Sequence, residues 1–356
     1  MIFIDGLIFS LQKDGGISRI FKEIIPLLCH SEKITLFKGF FIDSYDLNIA
    51  ELKIIGFKNI INNRIINKFI SILNAIWLQI AWIAVMMRGC DYYISSYYRL
   101  PLISDKTKII VFDYDCLYER FPDLFTGSEK IIKRKKRAYE IADYIITISE
   151  SSKNDLIHYY GICPSKIKVL SLGINQTFMK QPILISNKPS RPYIVYVGSR
   201  AKYKNFNLLS DLYKRDLHKQ YDLYVVGGND LRLDDSELSE FPGVKWLELS
   251  DQELSDIYNA ASALIYPSSY EGFGLPPLEA LACGCPVVLS NDNLASKEII
   301  GKFGFYFNEK ECGSLKSAIL LAVNSTEQQC LDAQLHASSF TWNKTTIQLR
   351  NYINQL

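Results

Sequence analysis

Residues 264–290 read LIYPSSYEGFGLPPLEALACGCPVVLS, and this stretch decides the fold. A β-type run, 263–266, ends at Pro267. A polar turn carrying Glu271, Gly272 and Gly274 follows, a helix-compatible stretch begins near Leu275, and Pro286 opens a second apolar run. The order is strand, turn, helix, strand, with one carboxylate on the turn (Glu271) and another inside the helix (Glu279). A helix start presents backbone N–H groups that lack intrahelical partners, together with the positive end of the helix dipole. Small residues let an anion approach those groups closely. Such a place suits a diphosphate, with a carboxylate on either side for sugar hydroxyls.

Outward from this stretch the alternation of strands and helices continues in both directions. Upstream it reads 193–197, a helix after Asn205, 222–226, 244–247 and a helix from Asp251. Nearer the N-terminus it reads 2–4, a helix over 18–29, 33–37, 92–95, 108–112, a basic helix around 129–141, and 143–149. Residues 180–192, KQPILISNKPSRP, hold three prolines and no periodicity, the character of a linker. At 356 residues the chain is long for one core and comfortable for two. The predicted fold class is therefore α/β, two Rossmann-like doubly wound domains.

With 40 Lys and Arg against 38 Asp and Glu, the net charge of +2 gives no electrostatic case for nucleic acid. Hydrophobic residues at 48% and charged residues at 22% exclude a disordered chain. The eight cysteines have no metal-ligand spacing and read as reduced residues of a cytoplasmic protein. Residues 69–87, FISILNAIWLQIAWIAVMM, are long enough to span a bilayer, but Ser71, Asn74 and Gln79 interrupt them. The expectation is a helix buried in the N-terminal domain or lying on its surface, then a membrane-surface helix, and a true span last.

The two glutamates, separated by seven residues in the frame PSSYEGFGLPPLEALACGCPVV, closely resemble the signature of the retaining glycosyltransferases of family 4. That resemblance implies the GT-B architecture, with the two domains facing a cleft. It divides the chain into an acceptor-binding domain 1–180, a linker 181–192, a nucleotide-sugar domain 193–340, and a last helix 341–356 that packs back on the first domain.

Three further clusters align with the family. Gly15-Gly16-Ile17-Ser18-Arg19 follows the first strand and resembles the family's glycine loop. There Gly16 comes near the donor phosphate, while Gly15, Ser18 and Arg19 shape the acceptor side; a plain turn is the duller alternative. Val197-Gly198-Ser199-Arg200, followed by Tyr203-Lys204-Asn205, offers a guanidinium fork and a point charge four residues apart. The resemblance assigns Arg200 and Lys204, with Gly198 beside them, to the diphosphate as it departs, an electrostatic role in catalysis. Two solvated surface cations are the structural alternative. Within the signature, Glu271, Gly272, Phe273, Gly274 and Leu275 are assigned to the donor; Glu271 faces its sugar hydroxyls and Glu279 the nucleotide ribose.

The third cluster is Asp113-Tyr114-Asp115. Family members often carry His-Asp where this chain has Tyr114-Asp115, which makes these two acceptor-side candidates. Asp113-x-Asp115 also has the form of a metal motif that bridges a diphosphate. The expectation is no metal and no cofactor, because Arg200, Lys204 and the helix start already neutralise the diphosphate. Ser149 reads as a helix cap. In the next helix start the family often carries a Pro-Glu pair, and Lys297-Glu298 stand in its place.

The function implied is a retaining, metal-independent transfer of a hexose, mannose or a deoxyhexose from a GDP-linked donor. The acceptor is a glycan or lipid-linked glycan of surface polysaccharide. The basic run 130–137 beside an apolar helix is a candidate contact with an anionic membrane surface, which would place the protein on the inner face of the cytoplasmic membrane. Two alternatives share the architecture: a sugar-nucleotide epimerase or hydrolase, and a non-catalytic nucleotide-sugar-binding protein. Against the first, none of His30, His158, His218 or His336 falls in a recognised motif; against the second, every charged motif residue is present.

Overall fold

The computed structural model describes residues 1–12, 15–42, 47, 49, 51–58, 64–103, 106–181, 190–228 and 236–356. Of the linker expected at 181–192, residues 182–189 lie outside the described residues. The chain forms two units, one of residues 1–172 and 342–356, the other of residues 173–341.

The first unit runs β1 (Ile2–Asp5), α1 (Ile8–Leu11), α2 (Gly16–Cys29), β2 (Ile34–Phe41), β3 (Leu52–Lys58), α3 (Arg64–Met86), β4 (Tyr92–Ser95) and β5 (Lys108–Phe112). It continues with α4 (Leu117–Arg120), α5 (Ser128–Ile141), β6 (Tyr144–Thr147), α6 (Glu150–Tyr160) and β7 (Ile167–Val169), and takes in the C-terminal helix Trp342–Ile353. Its sheet is parallel in the order β3-β2-β1-β4-β5-β6-β7, so the winding reverses between β1 and β4. Strands buried on both faces read as apolar runs rather than alternations, as IFID and KIIVF do. The edge strand β3, largely exposed and carrying lysines, gave no such signal. Ser149 caps α6, its hydroxyl accepting the Ser152 N–H at 3.0 Å, as expected.

The apolar segment at 69–87 takes in all of α3 after its first five residues, and Met87 just past its end. Leu78, Ala81, Trp82 and Val85, spaced for one helical stripe, are buried. Trp82 meets Phe3 and Tyr93 edge-on, with ring centroids 5.5 and 5.0 Å away. The opposite stripe, including Ile72, Ile76, Ile80 and Ile83, is exposed, and only 28% of the apolar window is buried. The polar interruptions are clamps. Asn74 bonds both backbone groups of Phe40 (2.8 and 3.2 Å) where β2 bulges, and Gln79 binds the backbone at Leu100 and Leu102. α3 is thus a surface helix fixed to the core along one stripe.

The second unit runs β8 (Tyr193–Val197), α7 (Phe206–Arg215), β9 (Asp222–Val226), α8 (Ser236–Ser239), β10 (Val244–Leu247), α9 (Asp251–Ala260) and β11 (Ala263–Tyr266). α10 (Leu275–Ala282), β12 (Val287–Ser290), α11 (Leu294–Ile300), β13 (Phe305–Phe307), α12 (Ser314–Val323) and α13 (Glu327–Ser338) complete it. Its sheet, also parallel, has the order β10-β9-β8-β11-β12-β13 and reverses between β8 and β11. In open α/β sheets ligands bind outside the carboxyl ends of the strands at such a reversal. Each unit has one such place. All eight cysteines are free, five of them buried and Cys163 and Cys312 exposed.

Candidate active site

At the reversal in the second unit, the chain leaving β8 and the chain leaving β11 are tied together. Gly198 turns at φ +138°, a region that disfavours any side chain. After Arg200 a single 3₁₀ turn, 202–204, ends at Asn205 in the left-handed region. The Tyr203 carbonyl accepts the Ser269 N–H (2.9 Å) and hydroxyl (3.0 Å), and the Asn205 amide donates to the Pro267 carbonyl at 3.2 Å. These bonds set Lys204 against the turn that carries Glu271. Lys204 Nζ lies 2.5 Å from Glu271 Oε1, the two side chains 12% and 16% exposed. The ammonium also sits over the rings of Tyr203 and Tyr266, at 5.4 and 5.5 Å. Buried Tyr266 bonds Glu271 too; its phenol is pushed well up, first by burial and then by that carboxylate.

Arg200 and Lys204 reach the end of β8 from opposite sides. β8 lies between β9 and β11, and the two side chains reach to opposite neighbours. Arg200 donates to the carbonyls of Gly227 (3.2 Å) and Gly228 (2.5 Å), just past β9, and lies over the Trp246 ring at 5.0 Å. Gly227 and Gly228 both have positive φ. A Cβ on Gly228 would stand 3.1 Å from Arg200 Nη1. The cations therefore bracket the end of β8.

The turn before α10 is also particular. Gly274 caps the helix at φ +106°, and a Cβ there would come within 2.3 Å of Ser296 Oγ. The expectation of several open amides in the first helical turn fails in part, because Pro276 and Pro277 occupy it and have no N–H. The Leu278 N–H already bonds the Gly274 carbonyl at 3.3 Å. The donors at this helix start are those of the turn through Leu275. Gly272 and Leu275 are half-buried, Phe273 and Gly274 buried, and Glu279 is 3% exposed inside α10. Lys297 and Glu298 fall inside α11, which Asn293 caps; the Lys297 N–H bonds Asn293 O at 2.9 Å, a bond proline could not make.

The first-unit candidates divide. Gly15 caps α2 in extended backbone, and Gly16 is exposed; a Cβ there would meet nothing within 4 Å. Ser18 is buried, its hydroxyl donating to Gly15 O at 3.0 Å, and Arg19 is half-buried in the same turn. Tyr114 turns inward: it is 3% exposed and donates to the Ser96 carbonyl at 2.8 Å. Asp115 accepts the N–H of Leu117, the first residue of α4, at 3.0 Å, and burial raises its pKa to about 6. Asp113 is fully buried and tied to Tyr98 (3.0 Å), Tyr139 (2.5 Å) and Lys135 (3.3 Å), so its carboxylate belongs to the core. No cluster of three metal-ligating side chains occurs among the described residues.

Tyr266, Trp246 and the Gly227–Gly228 turn escaped the sequence. The glycine pair directly after β9, placed as Gly198 is after β8, was a usable signal. Nothing in the sequence pointed to Trp246.

Residues 180–331 match the family described as Glycosyl transferases group 1. The O-antigen chain mannosyltransferase RfbU of Salmonella typhimurium is 28% identical over 235 residues, which are 63% of each protein. The O-antigen chain mannosyltransferase B of Escherichia coli is 26% identical over 238 residues, 62% of each. The matches thus span less than two thirds of these relatives' lengths. Sucrose-phosphate synthase from Thermosynechococcus elongatus superposes with a TM-score of 0.77 over 99% of this chain and 98% of that one, at 16% identity. This likeness shows the fold, two parallel-sheet α/β domains of the GT-B class.

Proposed function

We propose that this chain, whose residues 180–331 match the family described as Glycosyl transferases group 1, transfers a hexose from a nucleotide sugar to a glycan acceptor, with retention and without a metal. The observation that carries this is the Lys204–Glu271 pair at the reversal of the second sheet, bracketed by Arg200 and the glycine turns.

The donor diphosphate lies across the end of β8. Glu271 takes one of the three donors of the Lys204 ammonium, and the remaining two serve the phosphate. Arg200, a permanent cation, stands on the other side. Charge that builds on the leaving diphosphate is stabilised by groups already in place, usually the largest single contribution to such a rate.

Glu271 is held at 2.5 Å by an ammonium, an arrangement that blunts a carboxylate as a nucleophile and suits it to accept hydrogen bonds from sugar hydroxyls. The bond from the anomeric carbon to the phosphate oxygen breaks through an oxocarbenium-like state. The acceptor hydroxyl then adds on the same face and passes its proton to the departing phosphate. Glu279, buried in α10, binds the ribose.

Likeness to two O-antigen chain mannosyltransferases favours a GDP-linked donor, mannose or a deoxyhexose, and a surface-polysaccharide acceptor. The exposed apolar stripe of α3 and the basic α5 favour a site of action on the inner face of the cytoplasmic membrane.

The test is thermal denaturation with GDP-, UDP-, dTDP- and ADP-sugars, each with and without EDTA. Selective stabilisation by a GDP-sugar, indifferent to the chelator, is expected. No stabilisation by any of them, in wild type and with acceptor present, would remove the donor site assigned to this cleft of loops.

A further inference from the structure

Beside the exposed stripe of α3 runs a groove of about 920 Å³, floored by Ile72, Ile76, Ile80 and Leu102. Ile76 is 56% and Ile80 62% exposed. From Ile72 to Ile83 the floor extends along about 16 Å of helix. Its wall is cationic: Lys130, Lys133, Arg134 and Arg137 from α5, and Arg99 from the segment after β4. No carboxylate is among its described lining residues.

The groove adjoins a second, smaller pocket of about 80 Å³, which shares Ser71, Arg99 and Arg134 with it. The remaining wall of the small pocket includes Leu7 and Ser10, which follow β1, and Tyr97, which follows β4. It therefore opens at the winding reversal of the first sheet, where a ligand is expected. Arg99 and Arg134 stand at the junction of an apolar trough and a polar pocket. Partial loss of water first, and the nearby Arg99 charge second, lower the Arg134 guanidinium from its ordinary pKa, and both cations line the same two pockets. An anion between them relieves that repulsion.

We infer that this groove binds a phosphate-linked lipid acceptor: the hydrocarbon chain lies along α3, the phosphate sits between Arg99 and Arg134, and the sugar enters the pocket at the ends of β1 and β4. The acceptor role rests on the glycosyltransferase reading; the binding of a lipid phosphate does not. A bilayer surface would use the apolar stripe and α5 but would have no need of the polar pocket beyond the arginines.

Titration calorimetry of the full chain with decyl phosphate and with decanol, each below its aggregation concentration, tests the site directly. Decyl phosphate is expected to bind, and decanol to bind at least about tenfold more weakly. Arg99→Gln and Arg134→Gln should each weaken decyl phosphate about tenfold while leaving the melting temperature unchanged. Ile76→Ser should weaken both ligands. In transfer assays Arg134→Gln should raise the KM for a lipid-phosphate-linked sugar about tenfold, with the donor KM unmoved.

Equal affinity for decanol and decyl phosphate would overturn the inference. So would arginine variants that lose sedimentation with phosphatidylglycerol vesicles while binding decyl phosphate as wild type does. Transfer activity without decyl phosphate binding would sink the groove alone. Decyl phosphate binding that both arginines govern, in a chain with no transfer activity, would sink the glycosyltransferase reading and leave the lipid site standing.

Discussion

Each unit holds a lysine paired to a carboxylate near the ends of its strands, and the two pairs behave as opposites. In the first unit Lys135 lies 3.3 Å from Asp113 and 2.9 Å from Glu119, all at 3% exposure or less. Its ammonium also donates to the Asp115 carbonyl at 2.5 Å. Burial alone would lower the pKa of Lys135, but Asp113 and the acidic groups behind it carry it well above the ordinary value. In the second unit Lys204 meets Glu271 on a glycine turn, with both side chains partly open to water. The same two chemical groups make a structural tie when enclosed and a candidate reaction centre when one side is left accessible. Accessibility at a reversal of the sheet separates them, not the ion pair itself.

Removing each lysine should separate the two most sharply. Lys135→Met leaves Asp113 and Glu119 buried without their cation, and should cost about 3–5 kcal/mol of stability. Chemical denaturation would read this, and a loss under 1 kcal/mol would make the two pairs alike. Lys204→Ala should leave the denaturation midpoint near wild type and lower kcat about 10²–10³-fold. An unfolded Lys204→Ala would turn this pair, too, into a structural one.

Within the second site, Glu271→Ala should cripple transfer while nucleotide binding persists. Glu279→Ala should weaken nucleotide binding first, about tenfold. Calorimetry with the nucleoside diphosphate beside initial rates would expose a reversed order, which would exchange the two roles.

A further expected effect concerns Asp5, fully buried at the end of β1, whose pKa burial lifts to about 7. The folded state keeps a proton there that the unfolded chain releases near pH 4. This group's stabilisation is therefore complete at low pH, falls as pH rises to about 7, and is flat above. Asp5→Asn should raise the melting temperature at pH 8 relative to wild type and change little at pH 4. An equal shift at both would remove the titration as its cause.

Much of this was legible in the sequence, and what was not has a common cause. The glycine turns at Gly198 and at Gly272–Gly274, the two glutamates and the strands of both sheets' interiors announced themselves, because spacing and apolar runs record backbone path. Strand β3 did not, since an edge strand carries no buried run. Direction of side chains was the second blind spot. Tyr114 turns into the core, and Arg200 turns away from Lys204 because β8 has a neighbour on each side, a fact of sheet order. The prolines at 276 and 277 were plainly visible, and their effect on the donors of the helix start follows from their chemistry alone.

The path of the chain has a further consequence for how the protein is made. The second unit is continuous in sequence, whereas the first is closed by a segment synthesised after all of residues 173–341. The Tyr92 hydroxyl finds its acceptor on Ile353, and Thr345 bonds Ser171. During vectorial synthesis the first unit must therefore wait, open at one seam, while the second emerges and folds. A nascent chain stalled before Trp342 should expose that seam to chaperones with its second unit already formed.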